Sequence, residues 1–589
     1  MKYSLVENSL NDLTHFVKTV LSNRGIQNIQ EFMQSNNEDI ENNSFSDLNN
    51  IEEGVDLLFK HIETNDVISL VVDPDVDGIC SSAVLYNYLN NMVREENLPT
   101  INWNIVTHSG KGHGFASDIE VNPETKLIIT PDGGSNDFDA HKKLKDSGID
   151  VLVIDHHVVD KESEDAIIIN NQTSSNYKNK SFSGVGIVYR FIQAIDDKLF
   201  SFNADNYLDL VALGNIADVM DTSDYETRYF IQQGILQDNL KNPFLKILVK
   251  KTGVDVGSDL NRYIYPIDVS FKIAPLINAL LRLGTVEEKE KLFTCFISPE
   301  EDLSTRKGIC KEVINIMQSY KESQDEEKQK LLDDISSKLT DEDLSCPVLV
   351  FDATGLVDNP EIIGLTAMNL ASKYKRPVIL GSIKDSNKTN ITGSVRLNNG
   401  FPDQKFKETC VESGLFGFAQ GHNAAFGFAY NKENKHKIQE YFISKYGGDI
   451  LQNEHTVDFV IPNVNDIAPS DFFLIQTYKA LWGKNVEEPT FAIENIPFYP
   501  MSLDKLGKKE DTVKYTHSKI EFMFFRCSEE ELILKMANGL EYDPTKQYAM
   551  NVVGKLGIST FAGRTKNQMI VDDYEIFEVK GNDVADFDF

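Results

Sequence analysis

The chain has 589 residues, of which 41% are hydrophobic and 25% charged, and these ordinary proportions exclude disorder as its main state. The length is several times that of one typical domain, so we expect three or four globular units. The 91 acidic residues outnumber the 58 basic ones, and the resulting formal charge of −33 argues against a surface that tracks tightly along nucleic acid over a long distance.

The sequence carries few targeting or cysteine signals. No apolar run approaches the roughly 18 residues that span a bilayer, and the N-terminal sequence lacks a basic region followed by an apolar one. We therefore expect a protein of the cytoplasm, or of the host's cytoplasm if a phage encodes it, with no membrane partner. The six cysteines form no CxxC pair, so neither a structural zinc site nor a disulfide framework is predicted.

The first half of the chain contains a change of pattern. Residues 1–60 are predicted to form short amphipathic helices separated by a polar stretch. From Val67 the sequence shows short apolar runs rich in β-branched residues, VISLVV, KLIIT and VLVIDHH, each followed by a loop that contains aspartate. Alternation of such runs with helical periodicity predicts an α/β catalytic domain with a parallel sheet at 61–300, in which ligands gather beyond the carboxyl ends of the strands.

Three further parts follow along the chain. A charged segment whose apolar positions keep helical spacing predicts one long connecting helix at 301–345. PVLVFDAT and RPVILGSI, with a helical segment between them, predict a second α/β domain at 346–448. The alternating, β-rich sequence at 449–589 predicts a small barrel.

The first two candidate site segments place carboxylates directly after predicted strands. VVDPDVDGICS offers Asp73, Asp75 and Asp77 at alternate positions, followed by a glycine where the backbone must turn tightly. Carboxylates at this spacing on a strand-end loop can converge on a hard cation. IITPDGGSN adds Asp132 in front of two glycines that let the chain approach a ligand closely. Taken alone, the first segment is equally typical of a solvated acidic turn, and the second is more often merely a turn.

Two more segments add imidazole and carboxylate groups. VLVIDHHVV carries Asp155, His156 and His157 directly after four apolar residues, and such groups at the end of a strand make a poor core but a good metal site. LVALGNIADVMD places Asp218 after an apolar, helix-like run, where an unpaired carboxylate would be costly to bury. A structural histidine and a helix-capping aspartate are the alternatives for single members. Together, the four segments supply enough ligands for two metal ions a few ångströms apart.

These four segments, DPDVDG, PDGG, DHH and GNIADVMD, resemble in content and order the four motifs of the DHH phosphoesterases. KGHGF, SGVGIVYRF and FKIAPLINALLRLG are similar to segments of the RecJ exonucleases within that superfamily. IIGLTAMNLASKYKRPVIL, GSVR and AQGHNAAFGFA resemble the DHHA1 domain of the same family, and WGKNVEEPTF with the β-rich tail resembles the start of its OB-fold. The resemblance therefore implies a DHH domain and a DHHA1 domain joined by a long helix, with a C-terminal OB-like, nucleic-acid-binding barrel.

The resemblance also implies a phosphoesterase that uses two divalent ions, Mn²⁺ or Mg²⁺, to activate a water for attack on phosphorus. The implied principal metal ligands are Asp75, Asp77, Asp132, His156 and Asp218, with Asp73 and Asp155 as further ligands or as supports of the ligands. Asp155 and His157 are implied to act in catalysis, with His157 contacting the substrate phosphate or assisting proton transfer. Support of His156 is the alternative role of His157.

Substrate-binding residues follow from the same likeness. The positions that match the family's phosphate-binding and cleft motifs are Ser394, Arg396 and His422 in the DHHA1-like segment, and Asn278 and Arg282 in the DHH-like part. The arginine guanidinium fits phosphate bidentately, although a surface salt bridge is its commoner use.

The OB-like tail combines cations with aromatic rings, as a single-strand groove requires. A solvated loop beside an ordinary barrel strand has the same composition. The residues concerned are Lys505, Lys508, Lys509, Lys514, Lys519, Phe522, Phe524 and Phe525.

By family likeness, the chain is expected to be an exonuclease that degrades single-stranded DNA from the 5′ end, in replication, repair or recombination. Single-strand-binding, replication or recombination proteins are candidate partners. A phosphodiesterase for short oligoribonucleotides or cyclic dinucleotides is the first alternative, and the barrel and the long helix argue against it. A non-catalytic nucleic-acid-binding or replication scaffold is the second, and the filled ligand positions argue against it.

Overall fold

A computed structural model of the chain contains two compact units, one formed by residues 3–318 and 456–589 and the other by residues 1–2 and 319–455. Three or four units were expected; the difference arises because the C-terminal barrel packs within the first unit, where Thr222 N donates to Lys484 O at 3.0 Å. The boundaries predicted for the individual domains stay predictions. The described residues are 1–6, 13–34, 43–110, 112–115, 119–254, 264–297, 303–383, 389–398, 401–447, 454–507, 510, 512–534, 543, 546–561 and 564–579.

The N-terminal segment contains a strand as well as helices. A short strand, β1 (Lys2–Leu5), precedes the helices α1 (Phe16–Asn23) and α2 (Ile29–Gln34). The sequence predicted only helices here; Val6 N donates to Val457 O at 3.0 Å, so the extended conformation depends on a partner more than 450 residues away. Such a partner is invisible to local periodicity.

A five-stranded parallel sheet forms the centre of the first unit and confirms the predicted α/β class. Its strands are β2 (Val67–Val72), β3 (Asn102–Thr107), β4 (Thr125–Pro131), β5 (Asp150–Asp155) and β6 (Ile167–Asn170), arranged in the order β3-β2-β4-β5-β6. The three central strands are almost wholly buried, which accounts for their continuous apolar sequence.

Helices cover the sheet and extend beyond it. They are α3 (Ile51–Glu63), α4 (Val76–Glu95), α5 (Phe138–Asp146), α6 (Gly184–Leu199), α7 (Leu208–Ala217), α8 (Tyr225–Gly234), α9 (Pro243–Lys251), α10 (Ala274–Leu283) and α11 (Val286–Phe296), with a π-helical turn at Val269–Ile273. α3 packs closely on the sheet at Gly54, where an added Cβ would lie 2.8 Å from Ile169 Cδ1. α12 (Leu303–Lys338) is one helix of 36 residues, as predicted.

The second unit is built around a five-stranded mixed sheet. Its strands are β7 (Leu349–Asp352), β8 (Val378–Ser382), β9 (Asn390–Arg396), β10 (Phe416–His422) and β11 (Ala425–Asn431), in the order β10-β11-β9-β8-β7. The two predicted strands, β7 and β8, are parallel neighbours. The helices of this unit are α13 (Asp341–Ser345), α14 (Ile363–Tyr374), α15 (Phe406–Glu412) and α16 (Lys435–Tyr446), and a strand β12 (Glu454–Val457) follows them.

The C-terminal part forms the predicted β-rich domain. Its strands are β13 (Phe459–Ile461), β14 (Phe491–Phe498), β15 (Leu503–Leu506), β16 (Thr512–His517), β17 (Ile520–Phe525), β18 (Tyr548–Phe561) and β19 (Arg564–Glu578), in the order β13-β14-β18-β19-β17-β16-β15. Two helices, α17 (Pro469–Thr477) and α18 (Glu529–Leu534), accompany the sheet. None of the helices in the described ranges combines the length and apolar composition that a bilayer-spanning segment needs.

The N-terminal helices contribute to the core of this barrel. The ring of Phe16 stacks on that of Phe459, with ring centroids 5.7 Å apart. Beside this contact, the Arg24 guanidinium donates to both carboxylate oxygens of the buried Asp458, at 2.8 and 2.9 Å. The first and last parts of the chain therefore share one hydrophobic core.

Candidate active site

The candidate site lies at the carboxyl ends of three adjacent strands. β2 leads to Asp73, β4 leads to Asp132 and β5 ends at Asp155. In the sheet, β3 lies on one side of β2 and β4 lies on the other. The strand order therefore reverses between β2 and β4, next to these strand ends. Open parallel sheets bind ligands at such points because the loops diverge there and leave a crevice.

Three of the predicted metal ligands surround an imidazole nitrogen of a fourth. His156 Nε2 lies 3.2 Å from Asp132 Oδ1, 3.5 Å from Asp218 Oδ2 and 3.9 Å from Asp77 Oδ2. The four residues are widely separated in the sequence, yet their side chains form one compact cluster. The structure thus brings together the groups that the four sequence segments predicted.

Asp77 is held by the start of a neighbouring helix. It lies in the first turn of α4, and its carboxylate accepts hydrogen bonds from Ser183 Oγ at 3.0 Å, Gly184 N at 2.6 Å and Val185 N at 3.2 Å. A Cβ at Gly184 would overlap the carboxylate of Asp132, so only glycine permits α6 to approach the cluster this closely. These three hydrogen-bonding residues begin the RecJ-like segment SGVGIVYRF, but the sequence predicted no role for them.

A left-handed backbone conformation occurs at one site residue and directly after another. Asp132 itself has φ 64°, a conformation that aspartate tolerates better than most residues. Its Oδ1 atom is buried and has no hydrogen-bond partner of good geometry among the described residues. Asp218 caps the C-terminus of α7, and the next residue, Val219, has φ 57°.

A third group of side chains adds a histidine that sequence reasoning missed. His113 Nδ1 lies 2.5 Å from Asp73 Oδ2, and Gly114 N donates to Asp73 Oδ1 at 3.1 Å. Asp75 caps α4 by accepting from Gly78 N at 2.9 Å. The KGHGF segment resembled the family, but its histidine had no local signal because its partner lies 40 positions away.

Asp155 and His157 form a second pair of a buried carboxylate and an exposed imidazole. Asp155 Oδ1 lies 2.8 Å from His157 Nδ1 and accepts from His156 N at 2.7 Å, while Ser135 N donates to Oδ2 at 3.2 Å. The Asp155 side chain is 1% exposed and that of His157 is 54% exposed. These contacts favour Asp155 as the residue that orients both histidines.

The carboxylates of the cluster repel one another. Burial, followed by the charge of Asp75, raises the pKa of Asp77 to about 7, and burial with the charge of Asp77 raises the pKa of Asp218 to about 8. Burial and the neighbouring carboxylates also raise the pKa of Asp132 well above its usual range. Such a set lacks positive charge, which divalent cations would supply.

The Asp155 pair shows the opposite electrostatics. Burial alone would raise the pKa of Asp155, but the hydrogen bond and the charge of His157 hold it well below its usual range. The same hydrogen bond raises the pKa of His157 to about 9, against the effect of burial.

The donor atoms fit more than one cation. Among the described residues, three groups of side chains have potential ligand atoms within 4.8 Å of one another, and none of these atoms belongs to a cysteine. The prevalence of carboxylate oxygens suits Mg²⁺ or Mn²⁺. The groups are Asp73, Asp75 and His113; Asp77, His156 and Asp218; and Asp132, Asp155, His156 and His157.

The predicted substrate-binding residues fall in both units. On α10, Arg282 is half-buried, and burial lowers its pKa while the charge of Asp75 opposes this effect, so its guanidinium lies in the field of the acidic cluster. The buried Oδ1 of Asn278, one turn earlier, has no hydrogen-bond partner among the described residues. In the second unit, Arg396 on β9 donates to Ser394 Oγ. His422 ends β10, and its side chain lies outside what the structure describes.

The predicted cationic and aromatic groove of the tail is only partly present. Phe522 and Phe524 are 0% and 2% exposed and belong to the barrel core, whereas Phe525 is 53% exposed. Lys505 and Lys514 pair with carboxylates, at 3.1 Å from Glu529 and from Asp504 respectively, while Lys508 and Lys509 lie outside the described residues. For this stretch, the ordinary barrel strand was the better interpretation, because alternate residues of β17 face the core.

Two family models match parts of the chain. The DHH family, N-terminal domain, matches residues 67–215, and the RecJ OB domain matches residues 463–573. The first range contains the site residues from Asp73 to His157, and the second lies within the C-terminal barrel.

Similar proteins cover nearly the whole chain. A putative SPbeta prophage-derived single-strand DNA-specific exonuclease, YorK, of Bacillus subtilis strain 168 is 32% identical over 586 residues, which is 96% of this chain and 97% of that protein. The single-stranded-DNA-specific exonuclease RecJ of the same strain is 25% identical over 91% of this chain and 65% of that protein. The crystal structure of RecJ in complex with Mn²⁺ from Thermus thermophilus matches with a TM-score of 0.66 at 16% sequence identity. The match covers 98% of this chain and 78% of that protein chain, and it supports the fold.

Proposed function

The chain belongs to the RecJ-type family of DHH exonucleases, and from this premise we propose that it is a metal-dependent exonuclease that hydrolyses the phosphodiester bonds of single-stranded DNA. One observation carries the proposal: carboxylates from three of the four sequence segments lie 3.2 to 3.9 Å from Nε2 of His156, which belongs to the remaining one. Degradation from the 5′ end and roles in replication, repair or recombination are part of the proposal and rest on the family likeness.

The ligand set fits Mn²⁺ or Mg²⁺ in two neighbouring positions. Asp77, His156 and Asp218 would hold one ion, and Asp73 with Asp75 would contribute to the other position. Asp132, whose Oδ1 lies 3.2 Å from His156 Nε2, would add a further ligand. Among the described residues, the buried Oδ1 of Asp132 has no hydrogen bond of good geometry; this and the raised pKa values of the carboxyl groups support the assignment. When bound, the ions polarise an attacking water and offset the charge that develops on the phosphoryl oxygens.

Other residues orient the strand. His157 would contact a phosphoryl oxygen, and its exposed ring, whose orientation is fixed by the hydrogen bond with Asp155, supports this role. Arg282 lies in the field of Asp75 and would bind a neighbouring phosphate. Ser394 and Arg396, already hydrogen-bonded to each other, would receive a terminal phosphate.

The two alternative functions have less support. The 97% coverage of a relative that is named as a single-strand DNA-specific exonuclease does not favour a dinucleotide as the main substrate. A scaffold would not need a cluster of buried carboxyl groups whose pKa values are raised by burial and by one another's charges. Replication or recombination proteins as partners, and the cytoplasm as location, stay predictions.

The direct test uses purified protein with Mn²⁺ or Mg²⁺ and DNA strands that are labelled at one end. We expect release of nucleotides from single strands, beginning at the 5′ end, and little release from duplexes. Asp132→Ala and His156→Ala should abolish release, whereas Asp139→Ala, at an exposed position on α5, should not. Release by the two site variants at the wild-type rate, or no release by the wild-type protein, would overturn the proposed function.

A further inference from the structure

Val219, the residue after Asp218, has an unfavourable backbone conformation. Its φ of 57° lies in the left-handed region, which β-branched residues rarely adopt because Cβ approaches the carbonyl oxygen. Val219 N donates to Ile216 O at 3.2 Å and Met220 N donates to Asn215 O at 3.0 Å. This pair of bonds is the Schellman ending of a helix, and glycine or asparagine normally occupies the left-handed position.

Packing does not compensate for this strain. The side chain of Val219 is 61% exposed, so it gains little from burial. Val158, the residue after His157, is also exposed, at 73%. A strained backbone and an exposed apolar side chain at one residue indicate that the side chain serves a purpose other than folding.

The position of Val219 limits what it can touch. Asp218 Oδ2 lies 3.5 Å from His156 Nε2 in the centre of the cluster, and the Cα atoms of consecutive residues are about 3.8 Å apart. A side chain so near the proposed phosphate position meets the sugar attached to that phosphate before it meets a base. The apolar part of deoxyribose is therefore the group that an isopropyl side chain can contact.

We propose that Val219 packs against the deoxyribose next to the scissile phosphate and thereby favours DNA over RNA. The inference rests on the proposed function and adds the sugar specificity of the same site. A ribose would place its 2′-hydroxyl against the isopropyl group, where that hydroxyl loses water without gaining a partner. Apolar contacts reject an added hydroxyl only moderately, so we expect a preference of about tenfold to a hundredfold.

The test compares Val219→Gly with the wild-type protein. Glycine adopts the left-handed conformation without strain, so the variant should melt about 1 °C higher. Its kcat/KM for single-stranded DNA should fall about tenfold, and its DNA-to-RNA ratio should approach one, because the contact with the sugar is lost. Mn²⁺ binding, followed by electron paramagnetic resonance, should be unchanged.

Phe200→Gly is the matched control. Phe200 follows α6 in the same left-handed conformation, with φ 55°, and is 90% exposed. α6 starts beside the cluster and has 16 residues, so Phe200 lies roughly 24 Å from that start. Phe200→Gly should raise the melting temperature but leave kcat/KM and the DNA-to-RNA ratio unchanged.

Each outcome of this comparison either supports or overturns the proposed contact between Val219 and the deoxyribose. A more stable Val219→Gly protein with the wild-type DNA-to-RNA ratio would show that the valine is only strained, and weaker Mn²⁺ binding would show that it positions Asp218; either result overturns the inference. A wild-type protein that hydrolyses single strands without preferring DNA would also overturn it, while the proposed exonuclease would stand. A wild-type protein that hydrolyses neither strand removes the proposed function itself.

Discussion

In protein without divalent ions, the free energy of unfolding should fall as the pH rises from about 5.5 to about 8. The pKa values of Asp77 and Asp218 are raised from 3.8 to about 7 and about 8 in the folded chain, chiefly by burial and then by neighbouring carboxylates. A carboxyl group with a raised folded pKa contributes its full stability below the unfolded pKa. It loses that contribution as the pH rises through the folded pKa.

The size of the effect follows from the two pKa values. Asp77 is 2% exposed, and one pKa unit corresponds to 1.36 kcal/mol, so Asp77 should remove about 2 kcal/mol from the free energy of unfolding between pH 5.5 and its pKa. The side chain of Asp218 is 37% exposed, and solvent screening reduces its share to about 1 kcal/mol. For a unit of about 450 residues, the melting temperature should fall by roughly 3 °C.

Circular dichroism melts in chelator, with and without excess Mn²⁺, measure this dependence. Excess Mn²⁺ should flatten it, because the ions bind the deprotonated cluster. Asp132→Asn removes one charge and places asparagine at a φ of 64°, which asparagine tolerates, so this variant should melt higher than the wild type at pH 8 in chelator and be inactive. A melting temperature of the chelated wild type that is constant or rises over this range would refute the electrostatic account of the cluster.

Three other substitutions test separate contacts. Asp155→Asn should lower the pKa of His157 from about 9 towards 6.5 in metal-free protein, as followed by NMR of the imidazole; an unchanged pKa would exclude Asp155 as its cause. Asp458→Ala should lower the free energy of unfolding, measured in urea, by about 3–5 kcal/mol because it removes the carboxylate that accepts two hydrogen bonds from the Arg24 guanidinium. A decrease below 1 kcal/mol would contradict a stabilising role of this ion pair. Lys289→Met removes an ammonium that donates to the carbonyl oxygens of residues 108 and 110 at 3.0 and 3.1 Å. The substitution should lower the free energy of unfolding by about 1–3 kcal/mol and speed amide hydrogen exchange in the loop that contains these carbonyl groups. Exchange at the wild-type rate would show that Lys289 does not anchor the loop.

The central sheet was predictable because its inner strands bury both faces. VISLVV in β2 and VLVIDHH in β5 are continuous apolar runs, and such runs are typical of buried parallel strands. The edge strands β3 and β6 were not predicted: β3 carries polar residues on an exposed edge, and β6 has only four residues. Local periodicity is weak in both cases.

The clustering of the candidate site residues was predictable, but its detail was not. The motifs identified Asp132 and His156, because the carboxyl ends of parallel strands share one edge of the sheet. The motifs did not reveal His113, whose contact with Asp73 is tertiary, or the backbone nitrogen of Gly184 that binds Asp77. Nor does any local pattern indicate that Val219 adopts a left-handed conformation.

The shared core of the chain's two ends has a consequence during synthesis on the ribosome. Phe16 is translated 443 residues before Phe459, on which its ring stacks. At translation rates of 5–20 residues per second, α1 waits roughly 20 to 90 s for its partner. During that interval its apolar face is available to chaperones or to neighbouring nascent chains. A fragment that ends before the barrel would keep this face uncovered permanently, so a nuclease shortened at its C-terminus should aggregate unless the first 34 residues are removed as well.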